Sequence, residues 1–196
     1  MTQRRIYQCA HPYFITFNVL NREWIFDDVK KAEMLHAIIL SAGELKNYLV
    51  YQFCIMPDHV HILCQTVPHR GAEVSYRGLE NPQYNTGGVC SVDFPIRDDN
   101  RDDVTRDDKN IKCDCGFVHK HTISDFIKSI RGTFSRYMQK GQIWHPRFYD
   151  QIIENDDRLR AAIGYITYNP IKAGLPKKYQ KHPYQFKNDD LIARLF

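Results

Sequence analysis

Residues 48–66 read Tyr-Leu-Val-Tyr-Gln-Phe-Cys-Ile-Met-Pro-Asp-His-Val-His-Ile-Leu-Cys-Gln-Thr. Two apolar runs rich in β-branched and aromatic residues, 48–55 and 59–66, flank a tight turn at Pro57-Asp58. So short a connection implies an antiparallel hairpin. Side chains two apart on a strand share a face. His59 and His61 therefore lie on one side, and Val60 and Ile62 point into a core on the other. Two strand steps put the histidine Cα atoms about 6.6–6.8 Å apart, so the imidazoles can converge on one ion. Neutral imidazole suits borderline divalent metals. The same pattern also occurs on solvated sheet faces that hold no metal.

The flanking sequence supplies the remaining elements. Residues 12–19 are β-branched and aromatic and read as a strand. Asp27 or Asp28 can cap a helix over about 28–46, in which Met34, Leu35, Ile38, Ile39, Ala42 and Leu45 keep helical spacing. A second helix, capped by Thr122 or Ser124, runs to about 138 with Ile123, Phe126, Ile127, Ile130, Phe134 and Tyr137 on one stripe. Residues 143–153 read as a final strand. Asn155 or Asp156 opens a last helix to about 168, where Pro170 disfavours helix at the residue before it. The order β-α-β-β-α-β plus a terminal helix predicts an α+β fold, the ferredoxin-like split βαβ sandwich, with a C-terminal helix that bears tyrosines.

The pattern stops over 67–121, a stretch rich in Gly, Asn, Asp and Arg in which Arg-Asp-Asp recurs at 97–99, 101–103 and 106–108. A structureless stretch that long inside a small domain predicts a flexible insertion. Residues 1–175 are then one domain interrupted at 67–121, and 176–196 a polar, basic C-terminal tail. The chain carries a net charge of +4. The insertion is slightly acidic and the rest more strongly basic, which is compatible with a nucleic-acid partner without demanding one. Apolar runs are too short for a membrane span, and the first residues lack a secretory pattern, so a cytoplasmic protein is expected. The six cysteines are irregularly spaced, as reduced thiols would be.

The last helix carries the second chemical feature, Gly-Tyr-Ile-Thr-Tyr-Asn-Pro-Ile-Lys-Ala-Gly-Leu at 164–175. Leu159, Ile163 and Ile166 form its core-facing stripe. Tyr165 falls roughly 120° from the middle of that stripe and Tyr168 almost opposite it. Asn169 lies one turn beyond Tyr165 on the same side. A phenol has a pKa of about 10 and needs a nearby cation or base to act as a nucleophile. A metal held by His59 and His61 could serve, with Asn169 adding an amide oxygen. The alternative is that both tyrosines are ordinary amphipathic surface residues, with Asn169-Pro170 a common helix stop.

Taken together, four ordered stretches resemble the single-tyrosine transposases of the HUH class, in particular the REP-associated tyrosine transposases. They are 14–26, 56–63, 143–150 and 165–175. The resemblance implies a ferredoxin-like fold and cleavage of single-stranded DNA near hairpins through a 5′-phosphotyrosine link, leaving a free 3′-hydroxyl. It matches Tyr165 to the nucleophile and His59, His61 and Asn169 to the ligands of Mg²⁺ or Mn²⁺. It implies imperfect single-stranded hairpins as partners, and a monomer or a homodimer. Two other readings stay open. One is a domesticated protein that binds hairpins without cutting them. The other is an HUH relaxase or replication initiator that uses Tyr168 as well, although such pairs are commonly spaced i, i+4 rather than i, i+3.

Lys128, Arg131, Arg147 and Lys172 are candidates for neutralising DNA phosphates, and Tyr149, Trp144 and Phe148 for stacking on bases. Cys113-x-Cys115 with His119-x-His121 could be read as a zinc site, but its Cys-x-Cys gap is tighter than usual.

Overall fold

The computed structural model of the chain describes residues 10–67, 111–112, 118–119 and 121–196. Strand β1 spans Tyr13–Val19, helix α1 Val29–Lys46, and strands β2 and β3 Tyr48–Ile55 and His59–Thr66. A two-residue ribbon follows, β4 at Ile111–Lys112 and β5 at Val118–His119. Helix α2 spans Ile123–Met138, strand β6 Trp144–Ile152, helix α3 Asp156–Lys172, strand β7 Gln185–Lys187 and helix α4 Asp189–Ala193. The main sheet has the order β6-β1-β3-β2-β7, and each neighbouring pair is antiparallel. Its first four strands form the sheet of the ferredoxin-like sandwich expected from the sequence, and β7 adds a fifth at the outer edge of β2.

Both α1 and α2 begin where the sequence supplies a cap. Asp28 accepts a hydrogen bond from the Lys30 backbone N–H at 3.0 Å. Thr122 and Asp125 form a reciprocal capping box, which satisfies two otherwise orphan donors. The two helices bury their apolar stripes on one sheet face, against Ile15, Phe17, Phe53, Ile55, Val60 and Ile62. Full burial of one such side chain is worth roughly 1.5–3 kcal/mol, so this layer anchors the domain. Helix α1 approaches β2 closely at Gly43, where an added Cβ would meet Val50 Cγ2 at 2.9 Å.

Helix α3 packs on the opposite face. Leu159, Ala162 and Ile166 meet Tyr51, Cys54 and Leu63 there. A register shift between Val50 and Gln52 turns both Tyr51 and Gln52 toward this helix, as a β-bulge does. Gln52 Nε2 donates to Thr167 Oγ1 at 2.8 Å, and Thr167 Oγ1 donates to the Ile163 carbonyl at 2.9 Å. The helix lies over β2 and β3, and β1 and β6 beside it keep a more open surface, with Tyr149 55% exposed.

Two expectations need correction. Helix α3 does not end near 168 but continues through Asn169 and a buried Pro170 to Lys172. Packing of the proline and the bonds Ala173 N–H to Asn169 O and Leu175 N–H to Pro170 O outweigh the bias of a pre-proline residue against helix. Residues 176–196, expected as a polar, basic C-terminal tail, pack onto the domain. Tyr179 and Tyr184 are buried, and both hydroxyls bond to Asp27. Phe186 stacks on Phe53 at 5.1 Å, and Ile192 joins the cluster under α3. Most of the predicted insertion 67–121, including Cys113 and Cys115, lies outside the described residues.

Candidate active site

The strand β3 turns His59 and His61 to the α3 side of the sheet, while Val60 and Ile62 are buried on the other. The two Nε2 atoms are 3.1 Å apart, so the rings do converge. His59 Nδ1 meets Asp58 Oδ1 at 2.5 Å. An ionised carboxylate only accepts, so the His59 proton sits on Nδ1 and its Nε2 lone pair faces His61. His61 Nδ1 meets Thr16 Oγ1 at 2.8 Å, from the strand position directly opposite it. A hydroxyl donates or accepts, so His61 can also keep its proton on Nδ1 and free its Nε2 lone pair. Arg22 braces this shell from outside, its guanidinium 3.2 Å from Asp58 Oδ2.

Burial sets the charge state. His61 is 3% exposed, and desolvation, then the neighbouring His59, pushes its pKa down to about 3. Desolvation also lowers that of His59, against the opposing pull of Asp58. Both rings are neutral near pH 7, the state a metal ligand requires.

Helix α3 brings the remaining candidates to the same place. The Asn169 side-chain amide lies 3.3 Å from His61 Nε2. An amide rotated end for end would present its oxygen at that point. The Tyr165 ring stands edge-on to His61, centroids 5.1 Å apart, and edge-on to Phe14 at 5.7 Å. Phe14 in turn stacks on His61 at 5.6 Å. Tyr165 is held in an aromatic corner yet stays 43% exposed. Tyr168, three residues on, is 56% exposed.

Two neutral imidazole nitrogens and an amide converging beside an accessible phenol fit a small divalent cation with open coordination positions. No cluster of three or more His, Cys, Asp or Glu side chains suited to a metal occurs among the described residues. The third candidate ligand is an asparagine, outside that set.

The basic candidates divide between the two sheet faces. Lys172 ends α3 and is exposed, on the tyrosine side. Arg147 is exposed on the edge strand β6. Lys128 is exposed on α2, in the layer across the sheet. Arg131 is engaged with backbone: its guanidinium donates to the His145 carbonyl at 2.5 Å and the Pro146 carbonyl at 3.4 Å. Among the aromatics, Trp144 is buried with its indole N–H on the Arg131 carbonyl at 3.0 Å, and Phe148 packs on the core. Tyr149 is the accessible one.

Sequence reasoning missed Thr16, Asp58 and Arg22. Asp58 reads as a turn residue until the hairpin closes. Thr16 carried one signal, because Phe14, Thr16 and Asn18 alternate with the core residues Tyr13, Ile15 and Phe17.

A ferredoxin-like sheet thus carries a His-x-His strand at its centre and a tyrosine-asparagine helix on that face, the pairing on which the resemblance read from the sequence rests. A family model described as "Transposase IS200 like" matches residues 7–75. The chain is similar to a protein of Haemophilus influenzae named provisionally as a REP-associated tyrosine transposase, 24% identical over 143 residues. That match covers 73% of this chain and 61% of the relative. It is also similar to the REP-associated tyrosine transposase of Escherichia coli K12, 29% identical over 69 residues, 35% of this chain and 42% of that protein. The chain thus spans less than two thirds of the length of either relative. In three dimensions it resembles the structure of a REP-associated tyrosine transposase bound to a REP hairpin. The TM-score is 0.61 at 18% identity, over 100% of this chain and 88% of the other, a likeness of fold. The resemblance read from the motifs therefore holds in both sequence and fold. No helix among the described residues is long and apolar enough to cross a membrane.

Proposed function

We propose that this chain is a divalent-metal-dependent strand transferase that cleaves and rejoins single-stranded DNA beside hairpins. The observation that carries the reading is the meeting of Tyr165 with His61, where His59 and Asn169 also converge. Tyr165 Oη attacks the scissile phosphorus. The new bond joins Tyr165 to the 5′-phosphate, the bond from phosphorus to the 3′-oxygen breaks, the phenol loses its proton, and the departing 3′-oxygen gains one. One phosphodiester replaces another, so the covalent link keeps the bond energy and a 3′-hydroxyl can reverse the step without a nucleotide cofactor. His59, His61 and Asn169 would hold Mg²⁺ or Mn²⁺. When bound, such a cation polarises a phosphate oxygen and favours the phenolate. Phe14 and His61 fix the direction in which the phenol points, and Asp58, Thr16 and Arg22 keep both imidazoles oriented.

A hairpin partner is supported by the hairpin-bound structure that this fold resembles. Tyr165 is favoured over Tyr168 because its ring is the one against His61. The test is incubation with labelled hairpin DNA carrying a single-stranded extension, with Mn²⁺. A covalent adduct resistant to denaturation is expected, lost in Tyr165→Phe and kept in Tyr168→Phe. Hairpin binding without any adduct would mark a binding protein instead, and an adduct on Tyr168 a relaxase-like enzyme.

A further inference from the structure

Trp24 is 65% exposed, in the loop between β1 and α1. Its neighbour Phe26 is fully buried and already anchors the loop in the core. The loop is tied down around it. Leu20 N–H donates to the Ile143 carbonyl at 2.8 Å, and Phe26 N–H to the Pro57 carbonyl at 3.1 Å. Glu23 pairs with Lys140 at 3.0 Å. Arg22 pairs with Asp58, the residue that orients His59. Asn21 and Arg22 hold φ values of 55° and 56°, a conformation that non-glycine residues adopt at a cost. Trp24 is therefore fixed between two anchors to the Pro57-Asp58 turn that leads into the histidine strand.

An exposed indole on a loop anchored to the turn that leads into the histidine strand matches one ligand chemistry, an unpaired nucleobase. Arg22, two residues before Trp24 on the same loop, is exposed and has guanidinium donors beyond the one that meets Asp58, so positive charge is available there for the adjoining phosphate. We propose that Trp24 is a stacking platform for an unpaired base of the DNA strand that enters the Tyr165 site. Stacking there positions the strand and carries little sequence preference, because every base has a π-face. The inference rests on the function proposed above.

The chain has two tryptophans, and the other, Trp144, is buried, so intrinsic fluorescence reports on this site. The full chain is titrated, with EDTA present to prevent cleavage, with a hairpin carrying a single-stranded extension and with the same hairpin made blunt. The extended hairpin should quench the emission, the blunt one should not, and Trp24→Phe should abolish the change. Trp24→Ala should weaken binding of the extended hairpin roughly fivefold or more, the lower end of what base stacking supplies, while Trp24→Phe keeps most of the affinity. Emission that stays constant at saturating DNA, equal quenching by the blunt hairpin, or an unchanged Kd in Trp24→Ala would overturn the assignment. If neither hairpin binds, this site and the proposed function fall together. If the extended hairpin binds and Tyr165 forms its adduct while Trp24 emission is unmoved, the stacking site alone falls.

Discussion

The ring of Tyr165 stands edge-on to that of His61, at 78° and 5.1 Å between centroids. A helix on one face of the sheet thereby delivers a phenol to the central strand, beside two imidazole nitrogens that approach to 3.1 Å. This contact ties the helix chemistry to the strand chemistry, and the consequences can be measured.

The hydroxyl of Thr16 orients His61 from the neighbouring strand. Partners of this kind typically account for 10- to 100-fold of metal affinity. Thr16→Val keeps the shape and removes the hydrogen bond, so Mn²⁺ affinity measured by electron paramagnetic resonance should fall by about tenfold or more with the thermal unfolding temperature little changed. Equal affinity in the variant would mean that Thr16 does not orient the ring.

Asn169 should matter in the same assay. Asn169→Ala removes the amide nearest His61 Nε2 and should weaken Mn²⁺ binding, whereas Asn169→Asp, which restores an oxygen donor and adds charge, should recover or exceed the original affinity. Two variants that behave alike would remove this residue from the ligand set.

The depressed histidines make the fold acid-sensitive. Folded His61 takes up its proton only near pH 3, whereas unfolded it does so near the ordinary value of about 6.5. Between those limits the unfolded state binds more protons, so stability falls as pH drops, by up to about 1.4 kcal/mol per pH unit for this one group. Above the upper limit the group adds no slope. Burial likewise lowers His36, to about 4, and it acts in the same direction. Urea denaturation at a series of pH values through this window should show the loss, and His61→Gln should reduce the slope. A slope unchanged in that variant would contradict the assignment.

Deleting 182–196 should destabilise the domain strongly. It removes β7 from the edge of β2, uncovers Phe53 and strips Ile192 from the cluster beneath α3. Loss of several buried side chains, each worth roughly 1.5–3 kcal/mol, should appear as aggregation or a large drop in unfolding temperature. An unchanged melting curve would show that the segment is dispensable.

The regular elements were legible because each announces itself locally. The apolar, β-branched and aromatic runs in 48–66 marked both strands of the hairpin, and the Thr122 and Asn155 caps marked their helices. The C-terminal segment was not legible. Its anchors Tyr179, Tyr184, Phe186 and Ile192 are scattered among Lys, Gln and Asp with no helical or strand period, and their partners Asp27, Phe53 and the cluster under α3 lie far away in the chain. In the site, the histidines, Tyr165 and Asn169 stood out by spacing and resemblance. Thr16 and Arg22 did not, because their roles exist only once β1 pairs with β3 and the loop folds against Asp58. Arg131 looked like a phosphate ligand by charge alone, and only the structure reveals its bonds to the His145 and Pro146 carbonyls.

The proposed function stands or falls with Tyr165 as the nucleophile beside a metal held by His59, His61 and Asn169. The most direct measurement is mass spectrometry of the peptide linked to DNA after incubation with an extended hairpin and Mn²⁺. A nucleotide on Tyr165 is expected, absent in Tyr165→Phe and in His61→Ala although Tyr165→Phe still binds the hairpin. A covalent link that persists in Tyr165→Phe, or that maps to another residue, would contradict it.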